Sequence, residues 1–249
     1  MTQWVIKGLR MGIRTTRYPF AREATPGVTP GMPAPGEFEP PDIDALVERC
    51  PTGALASEHG RLAVDARRCI HCFRCIRGSP PTAGWHSGYE WARGRAALGK
   101  ALARSIHIRV VDAGDCGACL REVKQLAGPY YNLHRLGFFI TPTPRQADVL
   151  LVVGAGTDQM REALVKTYTA MPAPRAVIAV GACALSGGVF GQSFICSGGI
   201  GSIIPVDVEV PGNPPPPLAI LHALLLVSGR ATQNAGAAAH SGASGEEPL

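Results

Sequence analysis

Apolar residues between positions 105 and 210 come in short unbroken blocks. Ile106 to Val111 is the first, ending in Asp-Ala-Gly; Ala147-Asp-Val-Leu-Leu-Val-Val-Gly154 is the second, Arg175-Ala-Val-Ile-Ala-Val-Gly181 the third, and Ile203 to Val206 a shorter fourth. Asp158 to Thr169, between the second and third blocks, has helical spacing, and Asp158 is expected to cap that helix. Strands that are apolar throughout, alternating with helices, predict a parallel sheet covered on both faces; a sheet with one wet face would alternate apolar and polar residues instead. The pattern therefore predicts an α/β domain, closed by a last helix over Leu218 to Val227. The prolines Pro214 to Pro217 stiffen the approach to that helix, and Gly212 beside them is expected to let the backbone pass close to a bound group.

Composition narrows this further. The 249 residues are 46% hydrophobic and 17% charged, enough to bury a core of one large or two small domains, while 30 glycines and 22 prolines reserve much of the chain for turns. No apolar run reaches the roughly 18 residues that a membrane span needs; Leu218 to Val227 is short and interrupted by His222. The first twenty residues carry arginines where a signal core would be apolar, so a cytoplasmic location is expected. The net charge of +5 is uneven: residues 1 to 110 hold 16 Lys and Arg against 9 Asp and Glu, the remainder 8 against 10. A basic front half suits an anionic membrane surface, an acidic partner or nucleic acid. The arginines are scattered among Gly and Pro rather than stacked on a helix with aromatics, which argues against nucleic acid.

Eight cysteines carry the chemistry. Cys69-Ile-His-Cys72-Phe-Arg-Cys75 is a C-x2-C-x2-C run, with Cys50-Pro51 upstream. Three thiolates in one tight loop wrap three corners of a cubic iron-sulfur cluster, and a Cys-Pro supplies the fourth in ferredoxins. The pattern resembles the two-cluster bacterial ferredoxins with one half emptied. Ser79-Pro80 stands where the other cluster's Cys-Pro would be, and no second triple precedes Cys50. One [4Fe-4S] cluster is expected here. The competing reading is tetrahedral zinc, for which a C-x2-C-x2-C triple is unusual. His71 inside the loop is read as solvated or as tuning the cluster, not as a ligand. Cys116, Cys119 and Cys183 each follow a predicted strand, so they converge where ligands of open α/β sheets gather; the alternative is buried structural thiols. No hydrolytic Ser/His/Asp or Cys/His set is present. Trp85 and Trp91 fall in the connector between the two halves, where packing or partner contact is expected.

Residues 105 to 229 resemble the small electron-transfer subunit of membrane-bound energy-converting nickel-iron hydrogenases, including formate hydrogenlyase, and its relative in Complex I (the 20 kDa, or B, subunit). The likeness rests on Val110-Val-Asp-Ala-Gly-Asp-Cys116-Gly-Ala-Cys119, Tyr131-Asn-Leu-His-Arg-Leu-Gly137, Ala179-Val-Gly-Ala-Cys183-Ala, Gly187-Gly-Val-Phe-Gly191 and Ile204-Pro-Val-Asp-Val-Glu-Val-Pro-Gly212. Residues 3 to 80 resemble the ferredoxin-like subunit of the same complexes, including Gly12-Ile-Arg-Thr-Thr-Arg-Tyr-Pro19. The resemblance implies a flavodoxin-like domain whose second cluster, [4Fe-4S] or [3Fe-4S], is held by Cys116, Cys119 and Cys183. The Cys-x-x-Cys spacing resembles the hydrogenase branch, since the Complex I branch has adjacent cysteines. It also makes Gly154-Ala-Gly156 a turn beside the cluster rather than a phosphate loop, for which the further glycine and lysine are lacking. The family's fourth ligand lies in Pro-Gly-Cys-Pro-Pro; here the segment reads Pro211-Gly212-Asn213-Pro214-Pro215, leaving Asn213, a water or Cys196 for that corner, or a three-iron cluster.

The expected layout is a Pro/Gly-rich arm (1–40), a ferredoxin-like α+β unit with one cluster site (41–82), a connector (83–104), the α/β domain (105–230) and a disordered tail (231–249). The resemblance implies an electron relay without a substrate site of its own. It would serve a hydrogenase-like large subunit and further subunits, membrane ones among them, on the cytoplasmic face of the inner membrane. A Complex I-like quinone-reducing module and a zinc-binding nucleic-acid module are the alternatives.

Overall fold

A computed structural model describes residues 3–23, 28, 30–77, 80–95, 97–99, 102 and 104–232. In chain order the elements are α1 (Gln3–Met11), β1 (Met32–Ala34), α2 (Pro40–Arg49), β2 (Leu55–Glu58), β3 (Arg61–Val64), β4 (Gly84–His86), β5 (Arg93–Gly94), β6 (Ile106–Asp112), α3 (Ala118–Gln125), β7 (Phe138–Ile140), β8 (Val149–Val153), α4 (Asp158–Thr169), β9 (Ala176–Val180), α5 (Ala182–Ser186), β10 (Gln192–Ser193), β11 (Cys196–Ser197), β12 (Val208–Val210) and α6 (Pro217–Val227).

The main sheet has six strands in the order β5-β12-β9-β8-β6-β7. All neighbours are parallel except β5, which runs antiparallel to β12 at one edge. Taken in chain order, the five parallel strands lie second, first, third, fourth, fifth, the flavodoxin-like arrangement. The expected α/β class therefore holds. Val-Leu-Leu-Val-Val of β8 and Ala-Val-Ile-Ala-Val of β9 are buried at every position because both sheet faces are covered. On one face α6, α3 and residues of the arm and connector pack on Ile108, Leu151, Ile178 and Val208; on the other, Leu164 of α4 and Leu185 of α5 close over Leu150, Val152 and Val177. All eleven residues of α6 are buried, as expected of a helix apolar on every side.

Strand register sets where the loops leave the sheet. Asp112 pairs with Val153, Val153 with Val180 and Val180 with Val210, so β6, β8, β9 and β12 end in one row. The segments beginning at Ala113, Gly154, Gly181 and Pro211 all depart from that edge.

The front unit is small. β2 and β3 form a hairpin turned by His59 and Gly60, both left-handed, and α2 lays Ile43 and Leu46 on its Leu55, Leu62 and Val64. Arm and connector are not spacers: Tyr18, Tyr89, Ala92 and Leu98 belong to the core under α6. Tyr18 stacks edge-on against Tyr89, and its hydroxyl meets His222 Nδ1 of α6 at 2.6 Å.

Two expectations are corrected. Ile203 to Val206 is not a strand; Pro205 has no N–H to give a ladder, and the strand forms at Val208–Val210, in register with Ile178–Val180. Asp158 does not cap α4: the N-cap is Thr157, and Asp158 is the first helical residue, paired with Arg161 at 3.4 Å. Gly212 is required by its own turn, since a Cβ there would sit 2.7 Å from Pro215 Cα. Ser79 and residues 233–249 of the expected tail lie outside the described residues.

Tyr18→Phe leaves both ring nitrogens of buried His222 without a partner, since Nε2 has none already. It should cost about 1–3 kcal/mol by urea unfolding. Burial also holds the His222 pKa below the ordinary histidine value. The stability that depends on neutral His222 is therefore full above about pH 6.5 and falls with pH below it, which urea midpoints at two pH values would read.

Candidate metal centres

The first cysteine set is built locally. Cys50 ends α2, where its N–H caps the Val47 carbonyl. Its Sγ accepts the backbone N–H of Ala54 at 3.3 Å. The loop from Cys69 to Cys75 curls because His71 and Phe73 take left-handed backbone angles, with φ of 52° and 61°. Cys50, Cys69, Cys72 and Cys75 then line one small cavity together with Ala54 and Trp85. Burial first, and then the three neighbouring cysteines, push the Cys69 thiol up to about 12. Cys75 is likewise raised by burial and then by Cys72 and Cys50; thiols held up in this way need a cation beside them to ionise together, and the four-sulfur donor set fits an iron-sulfur cluster. His71 is half-buried, its pKa lowered to about 4 by desolvation, and its Nε2 lies 3.0 Å from Met32 Sδ.

The second set is built by the sheet. Cys116 is exposed in the loop after β6, Cys119 is fully buried in the first turn of α3, and Cys183 is buried in the first turn of α5. Gly181 precedes α5 with φ 93° and ψ 155°, and a Cβ there would stand 2.5 Å from Cys119 Sγ. The end of β9 thus makes room for a thiol arriving from another strand. Burial raises the Cys119 pKa, followed by the charges of Asp115, Cys183 and Cys116. Cys183 is raised by burial and then by Cys116, Asp115 and Cys196. The fourth-corner candidates sit differently. Cys196 packs with Ala155 and Cys183, and its thiol donates to the Ala155 carbonyl at 3.1 Å. Half-buried Asn213 follows Gly212, whose carbonyl accepts the Ala182 N–H at 2.8 Å. Among the described residues, no three His, Cys, Asp or Glu side chains are placed close enough together to hold a metal ion.

Residues 116–227 match the family described as NADH ubiquinone oxidoreductase, 20 Kd subunit. An uncharacterized protein of Methanocaldococcus jannaschii is 44% identical over 128 residues, covering 51% of this chain and 86% of that one. The chain belongs to the NADH ubiquinone oxidoreductase 20 kDa subunit family. A probable membrane-bound hydrogenase subunit of Pyrococcus furiosus is 42% identical over 131 residues, covering 53% of this chain and 78% of that protein. Formate hydrogenlyase subunit 7 of Escherichia coli is 38% identical over 135 residues, covering 54% of this chain and about half, 53%, of that protein.

The part matched to the 20 kDa subunit family begins at Cys116 and ends at Val227, the last residue of α6. One polar group immediately before it is not marked out by the sequence. Asp115 Oδ2 accepts the backbone N–H groups of Gly117 at 2.9 Å and Leu120 at 3.0 Å, while Oδ1 is buried with no hydrogen bond. Its only sequence signal is its place directly before Cys116.

Gly181→Ala should lower stability by at least about 1–3 kcal/mol in denaturant unfolding, because its backbone angles are essentially restricted to glycine and the added Cβ meets Cys119. Gly201→Ala, with open space around it and ordinary backbone, should stay within about 0.5 kcal/mol of the parent.

Proposed function

We propose that this chain is an iron-sulfur electron-transfer subunit of a membrane-associated, [NiFe]-hydrogenase-like oxidoreductase complex of the formate hydrogenlyase type. It joins a ferredoxin-like unit and a 20 kDa-subunit domain in one polypeptide. The observation that carries this reading is that seven cysteines fall into two sets, four around one cavity and three at one sheet edge, in a single folded chain. Cys50, Cys69, Cys72 and Cys75 would hold one [4Fe-4S] cluster, and Cys116, Cys119 and Cys183 a second. A bound cluster supplies one-electron transfer.

The chain's other residues set the two sites side by side. Arg67, two residues before Cys69, accepts the Ser186 hydroxyl on its carbonyl at 3.1 Å; its guanidinium reaches the Leu185 carbonyl and Glu209. Leu185 and Ser186 lie on α5 with Cys183. Trp91 packs on the cluster of side chains around Cys50 and Cys69, and its indole N–H donates to the Pro211 carbonyl at 2.9 Å. Residues of the two sites are thus linked by single side chains, which suits a relay.

Partners and location follow the relatives. The Pyrococcus furiosus relative is named as a membrane-bound hydrogenase subunit, and no helix among the described residues is long and apolar enough to cross a membrane, so attachment through partner subunits on the cytoplasmic face is our reading. α1 supports it: no residue of the helix is buried, Trp4 and Leu9 are three-quarters exposed, and Lys7 and Arg10 line its polar side.

Iron and acid-labile sulfide analysis with electron paramagnetic resonance on anaerobically purified protein tests the relay. About eight irons per chain are expected, falling to about four in Cys183→Ser. About four in both would reduce the α/β domain to a docking module. A tagged chain isolated from solubilised membranes should bring down a hydrogenase-like large subunit.

A further inference from the structure

We propose that Asp115 supplies the fourth protein ligand of the second cluster through Oδ1. The proposal rests on the reading that Cys116, Cys119 and Cys183 hold an iron-sulfur cluster. Four-iron clusters have four corners that need donors, and these cysteines provide three. Three other groups are candidates for the fourth: the amide of Asn213, the thiol of Cys196 and the carboxylate of Asp115.

The amide is a neutral oxygen donor, weak toward an iron that three thiolates already share. Cys196 is engaged elsewhere, donating to Ala155 at 3.1 Å from the β10–β11 hairpin, and its charge acts on Cys183. Asp115 differs on each count. It is covalently next to Cys116, its charge reaches both Cys119 and Cys183, and it is anionic. The two backbone bonds to Oδ2 fix the carboxylate, leaving Oδ1 buried and unpartnered. An uncompensated carboxylate oxygen out of water is costly, and a cationic iron held by the neighbouring cysteines would compensate it. Helix capping accounts for Oδ2 and leaves Oδ1 unexplained.

Asp115→Asn separates the two roles, because asparagine caps helices as well as aspartate but offers no anionic oxygen. Purified anaerobically, the parent should hold about eight irons per chain and Asp115→Asn about seven, with a three-iron resonance signal appearing in the oxidised variant. Asp115→Cys should restore the parent's iron content, and Asn213→Ala and Cys196→Ser should keep it. Loss of the whole second set in Asp115→Asn, with recovery in Asp115→Cys, supports the assignment equally. It is overturned if Asp115→Asn matches the parent in iron and spectrum, if Asn213→Ala or Cys196→Ser sheds that iron instead, if the parent itself holds about seven, or if both Asp115 variants lose the site. A parent with only about four irons removes the second cluster altogether, and so separates failure of the underlying reading from failure of this ligand.

Discussion

Asp112, Val153, Val180 and Val210 stand side by side across the sheet, and the segments after them start from that one line. Everything at the second site depends on this register. Cys119 and Cys183 belong to different crossovers, and only the alignment of β6 with β8 and β9 brings their thiols within electrostatic reach. The register is held by burial: side chains of β8 and β9 alternate between two covered faces, so a slip of one residue would exchange the sets presented to α6 and to α4 and α5. The apolar blocks that make the sheet are therefore also what aims the cysteines.

The two cysteine sets were legible in the sequence to different degrees. The loop from Cys69 to Cys75 is local, so spacing alone implied convergence, and the cavity lined by all four thiols agrees. Convergence of Cys116, Cys119 and Cys183 had to be argued through strands. That argument rests on β8 and β9 being apolar at every position, which few other elements imitate. Short edge elements were less readable. Phe138–Ile140 makes an edge strand with two exposed side chains and so lacks an alternation to recognise, and Ile203 to Val206 has the composition of a strand without the hydrogen-bonding freedom of one. Asp115 was invisible for another reason: a carboxylate before a helix looks like a cap, and only the burial of its second oxygen sets it apart.

The front and back of the chain are interlocked rather than tethered. The connector contributes β5 to the main sheet through Val208↔Gly94 and Glu209↔Arg93, and it sends Trp91 between the two cysteine sites. Arg67 reaches from the front unit to α5 and β12 together. A lone surface ion pair contributes little, but here the pair is accompanied by two backbone carbonyl contacts on the same residue, which define an orientation as well as an attraction.

Tyr18 and His222 meet across almost the entire described chain, and β5 finds its partner only when β12 exists. During synthesis the arm and connector therefore leave the ribosome long before the surfaces that receive them. The hairpin and α2 have a local core and can form early, whereas Tyr18, Tyr89 and the edge strand wait for the last helix. α6, which emerges after all of them, is apolar on every side and has no stable place until the front of the chain folds over it.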